Sequence, residues 1–201
     1  MKMRRHIKVL ALIMMIGISS TAYTQAIYKI EDNNNVSMKL TGTSTMHDWE
    51  MDATRAKGEA QFMFDASNEG ALTSMKLLTY TLEVKALKSD SQGLNNNAYK
   101  ALNTDKYKYI NYKLASAILS PEKGGYLAQT KGKLTIAGVT KDIAMDIHLI
   151  VNNNSITCKG SHQLKMTDYN VEPPSFMFGA MTTGDATKLS FEVTYSKQNE
   201  G

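Results

Sequence analysis

The chain has 201 residues with 23 Lys and Arg against 19 Asp and Glu, a formal charge of +4 and a pI near 9.0. The whole excess sits in Lys2, Arg4, Arg5 and Lys8, no acid precedes Glu31, and the remainder is therefore formally neutral. With no Lys/Arg cluster elsewhere, the charge pattern excludes a nucleic-acid partner, which needs a basic footprint to meet phosphates.

The four bases open a segment that reads as an export leader over residues 1–24. The apolar run Val9 to Ile18 is about half the length a spanning helix needs, and small residues follow it, with cleavage expected after Thr24 or Ala26. No later stretch is apolar for long enough to cross a membrane. The expected location is the periplasm or the outside of the cell. Residues 25–201 are of ordinary single-domain size and hold one cysteine, Cys158, so no internal disulfide can form and packing must supply the stability.

After the leader, a period of two dominates, the mark of strands with one buried face. Val36, Met38 and Leu40 alternate with polar residues after the turn signal Asp32 to Asn35. His47-Asp48-Trp49 marks a phase switch, best read as a bend pinned by Trp49. Beyond the turn signal Ser67 to Gly70, the segment Leu72 to Val84 changes phase, and a bulge near Leu77 reconciles its two faces. Leu94, Ala98 and Leu102 recur every four residues, which predicts one short amphipathic helix capped by Asn95 or Asn96. Tyr112 and Leu114 resume the alternation, and Pro121 to Gly125 forms a turn.

The longest alternation is Ile143, Met145, Ile147, Leu149 and Val151, followed by the Asn152-Asn153-Asn154 turn signal. A second long strand carries Ile156, Cys158, Gly160, His162, Leu164 and Met166 on its inner face, and Leu189, Phe191, Val193 and Tyr195 define the last. Roughly eight antiparallel strands with short turns and one helix predict an all-β barrel or sandwich, and the barrel is favoured because closure removes exposed edges.

Residues with chemical potential are few. His47, His148 and His162 have no metal-binding spacing, and no nucleophile elbow, phosphate loop or acid pair is present. No catalytic role, metal or cofactor is implied. Cys158 faces inward and is expected to be an inert buried thiol. His162 also faces inward, as a hydrogen-bonded core histidine or as a polar contact for a ligand headgroup. Phe176, Met177, Phe178 and Met181, after Pro173-Pro174, suit either a plug for one barrel end or a lid over a cavity.

Several segments together resemble the YceI-like family of secreted barrel proteins. They are Lys131-Gly132-Lys133-Leu134-Thr135-Ile136-Ala137-Gly138-Val139-Thr140-Lys141, Asn97 to Leu102 followed by Tyr107 to Tyr112, Leu164 to Tyr169 with Pro173-Pro174 and Thr183-Gly184-Asp185, and Gly42 to Trp49. Lys108 stands where members usually carry proline, and Lys88-Ser89-Asp90-Ser91 replaces an Arg-Asp loop. The resemblance implies an eight-stranded lipocalin-like barrel with one short helix that binds a long-chain lipid, such as a polyisoprenoid, an isoprenoid quinone or a fatty amide, as a monomer or homodimer.

On the inward phases, the wall of such a cavity is expected to comprise Phe62, Phe64, Tyr80, Leu82, Val84, Tyr112, Leu114, Leu134, Ile136, Met145, Ile147, Leu149, Leu164, Met166, Phe191 and Val193. The same residues would fill a solid core, and a solid-cored interaction or stress-protective barrel is the competing expectation.

Overall fold

The computed structural model describes residues 23–31, 35–53, 55–65 and 70–198. The expected leader lies outside them up to residue 22, as do most of the turn residues expected at 32–35 and 67–70. In chain order the elements are β1 (Tyr23–Lys29), β2 (Val36–Ser44), β3 (Trp49–Ala53), β4 (Glu59–Asp65), β5 (Ala71–Glu83), β6 (Leu87–Lys88), α1 (Gln92–Ala101), β7 (Tyr109–Glu122), β8 (Gly125–Ile136), β9 (Val139–Asn152), β10 (Ser155–Lys165), β11 (Ser175–Phe176) and β12 (Met181–Lys197).

Eight antiparallel strands close a ring in the order β1-β4-β5-β7-β8-β9-β10-β12, and β12 returns to β1 through Tyr28↔Lys197 and Lys29↔Ser196. The barrel expected from the alternation is therefore present. The upper part of the same edge of β12, Thr183 to Val193, pairs instead with β2, which continues through β3 to β6. One end of the barrel is thus walled by β1 and β4, the other by β2, β3 and β6. A satellite cluster of Met38, Met51, Ala53, Leu82, Ala86 and Leu87 holds this second wall.

In β5 the phase change is resolved by two bulges. The register with β4 slips between Met75 and Leu77 and again between Leu72 and Ser74. Each extra residue turns a spacing of two into three, so Leu72, Met75 and Leu78 all point inward. The bulge near Leu77 was legible in sequence; the one at Thr73 was not.

Helix α1 forms where the four-residue spacing placed it, but its cap differs. Ser91, not Asn95 or Asn96, is the N-cap, its Oγ accepting from the Leu94 N–H at 3.2 Å. Asn95 is buried and ties the preceding loop, its Oδ1 accepting from Ser89 N at 2.7 Å and its Nδ2 donating to Ser89 O at 3.1 Å. Tyr99 anchors the helix to β6, its hydroxyl donating to the carbonyls of Lys85 and Leu87 at 3.2 and 2.9 Å.

Two hairpins invert the expected turn chemistry. Asn153-Asn154 joins β9 to β10, yet neither residue takes positive φ. The left-handed turn is instead Ala137-Gly138, with φ of 46° and 79°, between β8 and β9. A side chain at 138 would run into the Tyr107 ring, so glycine is required there for space as well as for φ.

Candidate functional site

The barrel interior divides by height. At the β1/β4 end, Phe62, Ala60, Ala128, Leu149 and Ile156 are fully buried and pack against Tyr28, whose ring meets Phe62 edge-on at 5.2 Å. This half is solid. Tyr195 lies above it, and its hydroxyl, reaching from β12 to β5, donates to the Thr79 carbonyl at 2.9 Å.

Next to Tyr195 the strands line an apolar cavity of about 200 Å³ that opens to solvent. That is roughly 13–20 times the room of ~10–15 Å³ that one water needs. From the strands expected to form its wall come Tyr80, Leu82, Tyr112, Leu134, Ile136, Met145, Ile147, Leu164, Met166, Phe191 and Val193, together with His162. Two inner-face glycines make room for two of the rings: a Cβ at Gly132 would lie 2.5 Å from Tyr112, and one at Gly160 would lie 2.7 Å from Phe191.

Five expected wall residues do not reach the cavity. Phe62, Phe64, Leu114 and Leu149 face inward as their phase requires, but they lie at the packed end, because alternation specifies a face and not a height along the barrel. Val84 is buried in a 3-10 turn, Val84–Ala86, which bends the chain from β5 into β6 and takes its side chain out of the strand's inner row.

The expected lid is also displaced. Phe178 turns outward at φ 56° and is 112% exposed, so it neither plugs nor covers the barrel. The left-handed Phe178-Gly179 pair reverses the chain and turns the ring out into solvent. Met181 is half-buried and stands outside the cavity wall. The side chains of Phe176 and Met177 lie outside the described residues. Their neighbours Pro174 and Thr183, joined by a 3.0 Å backbone hydrogen bond, are the parts of this segment that do line the cavity.

Other wall residues were not anticipated. Leu94, Asn97, Ala98 and Ala101 of α1 and its C-cap Leu102 close one side, so the four-residue period that predicts the helix also marks its cavity face. Met38, Leu40, Trp49, Met51 and Leu87 come from the second wall. Trp49 does pin the β2–β3 bend, donating from Nε1 to the Thr43 carbonyl at 3.1 Å, while its ring faces the cavity. Asp185 secures the rim, its two oxygens accepting from Thr167 N and Oγ1 at 2.9 and 2.8 Å, and these bonds hold its carboxyl below the usual range.

Electrostatically the cavity is blank. Among the described residues that line it there is no Lys, Arg, Asp or Glu. Burial pushes the Tyr80, Tyr112, Tyr169 and Tyr195 hydroxyls up and the Cys158 thiol up to about 12, and it pushes the His162 imidazole down. All six shifts favour the uncharged form. The His162 and Asn97 side chains and the Tyr169 and Thr183 hydroxyls have no hydrogen-bond partner among the described residues, leaving four polar points on an otherwise apolar wall. Among the described residues no group of three His, Cys, Asp or Glu could hold a metal ion, and no helix is long and apolar enough to cross a membrane.

The family model of the YceI-like domain matches residues 23–195. The chain belongs to the YceI-like family. Its barrel is similar to that of BcnA from Burkholderia cenocepacia, at 16% identity, 81% coverage of this chain, 98% of that one and a TM-score of 0.62. A polyisoprenoid binding domain from Saccharophagus degradans is 10% identical over 87% of this chain and all of that one (100%), with a TM-score of 0.64. The YCEI protein of Campylobacter jejuni is 16% identical over 92% and 89%, with a TM-score of 0.54. At these identities the likeness is one of fold. No curated protein matches the chain. In this YceI-like barrel, the hairpin that carried the resemblance, Lys131 to Lys141, supplies Leu134 and Ile136 to the cavity and the left-handed Ala137-Gly138 turn to its rim.

Proposed function

We propose that this YceI-like protein is a non-catalytic carrier, store or sensor that holds one long-chain, uncharged amphiphile in its barrel. The observation that carries this reading is the apolar cavity in which every shifted titratable group is driven toward its neutral form. Binding then works by burial. An apolar chain leaving water gains about 0.8 kcal/mol per methylene, and a chain has no directional bonds to satisfy along the wall.

The wall also selects against charge. A phosphate or carboxylate inside would be desolvated without a cationic partner, at a cost of several kcal/mol. Isoprenoid alcohols, quinones and fatty amides carry headgroups that His162 and Asn97 can meet with neutral hydrogen bonds. The relative described as a polyisoprenoid binding domain supports the same class. Four methionines, Met38, Met51, Met145 and Met166, stand in the wall, where flexible thioethers adapt to chains of varied shape. Export to the periplasm or beyond, directed by residues 1–24, completes the proposal.

The test is lipid extraction from natively expressed protein followed by mass spectrometry, with displacement of bound Nile red by an isoprenoid alcohol and by its phosphate ester. The alcohol should displace the dye and the phosphate should be at least tenfold weaker. Absence of any extractable lipid together with no displacement by either compound would overturn the reading.

A further inference from the structure

A water-insoluble ligand must enter from somewhere, and two exposed apolar tips stand on turns that lead into the cavity wall. Phe178 is 112% exposed at the turn that links β11 to β12, and Met46 is 64% exposed at the turn between β2 and β3. Ala180 is exposed beside Phe178. The two turns are tied together: Thr45 N donates to Thr182 O at 3.0 Å, and Thr182 N donates to Thr45 Oγ1 at 3.2 Å. Both run straight into the cavity wall, one through Trp49 and the other through Pro174 and Thr183.

Phe178 is held outward by the backbone. Its left-handed φ of 56°, followed by Gly179 at 89°, reverses the chain so that the ring projects past the strands. A single protruding ring on a tight turn, with a second apolar tip anchored next to it, is a shape suited to a soft, deformable surface.

Charge decides which surface. From Gly42 to Ala53 and from Met166 to Thr187 the chain contains six acids and no Lys or Arg; Lys39 pairs with Glu50 and Asp52 and Lys165 stands near Asp185, which leaves Asp48, Asp168 and Glu172 with no ion pair among the described residues. Acidic flanks repel an anionic leaflet and tolerate a zwitterionic one. From these observations we infer that the Phe178 and Met46 turns form a docking rim that inserts shallowly into a zwitterionic lipid surface, placing the cavity mouth against the bilayer for ligand transfer. The inference rests on the lipid reading of the cavity, and it adds the surface from which the lipid comes.

Co-sedimentation with dioleoylphosphatidylcholine vesicles tests it, using wild type, Phe178→Ser, Met46→Ser, the double variant and Phe178→Trp. Wild type and Phe178→Trp should partition to vesicles, while Phe178→Ser should lose about tenfold, the effect of exposing one large apolar side chain. Adding phosphatidylglycerol should weaken wild-type partition. The rate of Nile red transfer from vesicles should fall in parallel, with equilibrium Nile red binding unchanged, because neither residue lines the cavity.

Equal sedimentation of Phe178→Ser and wild type, or no sedimentation of wild type, overturns the docking rim. So does light scattering that shows a wild-type dimer dissociated by Phe178→Ser, since a second copy then covers the ring. Normal vesicle partition with no Nile red binding would overturn the lipid-filled cavity and leave the rim standing. Normal Nile red binding without vesicle partition would do the reverse.

Discussion

Strand β9 offers a test of the divided interior, because it runs through both halves. Met145 and Leu149 share its inner face four residues apart, about 13–14 Å along the strand. Met145 borders the cavity, whereas Leu149 is 0% exposed in the packed end. Replacing Leu149 with Trp forces bulk into a filled volume and should cost about 1–3 kcal/mol. For a domain of this size that lowers Tm by about 2–12 °C. Replacing Met145 with Trp sends the same ring into the 200 Å³ cavity, so Tm should move by less than about 2 °C. The ring then occupies ligand space. If it excludes roughly three or four methylenes, about 2.4–3.2 kcal/mol of burial is lost, roughly 50- to 200-fold in Kd. Thermal denaturation and Nile red titration read the two effects separately. Equal losses of Tm in both variants would show that the interior is filled throughout, and unaltered dye binding by Met145→Trp would move the ligand elsewhere.

Other outcomes follow from single groups. Cys158, with its thiol pushed up to about 12, is only about one part in ten thousand thiolate at pH 8; a disulfide reagent should label it rapidly in urea and negligibly in the folded protein, and fast native labelling would contradict its burial. His162 is held toward neutrality by desolvation, so the unfolded chain binds the extra proton as pH falls below about 6.5. Stability should therefore decline from that pH down to the lowered value and then level off. Urea melts between pH 7.5 and 5 should show part of this slope missing in His162→Leu; identical slopes would refute the assignment. Finally, Ala137 sits at φ 46°, where asparagine is less strained. Ala137→Asn should raise stability by about 0.5–1 kcal/mol, and a lowered Tm would count against the turn geometry.

Much of the barrel was legible before the structure. The alternation in β9, β10 and β12 identified inner faces correctly down to Cys158 and His162, because a pleated strand presents successive side chains to opposite sides whatever surrounds it. The amphipathic spacing of Leu94, Ala98 and Leu102 located α1 for the same kind of reason. Caps and turns were read less well. Ser91 outcompeted the two asparagines because it precedes the first helical turn, and Asn95, one turn inside, was free to serve the loop at Ser89. Hydrophobicity and irregular spacing leave Phe178 open to a plug or a lid, and only the backbone reversal at Phe178-Gly179 shows that its ring stands in solvent.

The local pattern determined which residues face the interior, that the chain closes into a barrel, and that its surplus charge lies within the first eight residues. Tertiary structure alone decided where along the barrel each inward residue falls, and so which of them meet a ligand. Height depends on strand stagger, on the β5 bulges and on the exchange of β1 for β2 along β12, all of which are set by pairing between distant segments. Leu149 and Met145 are indistinguishable by period, yet one fills the floor and the other opens onto the cavity.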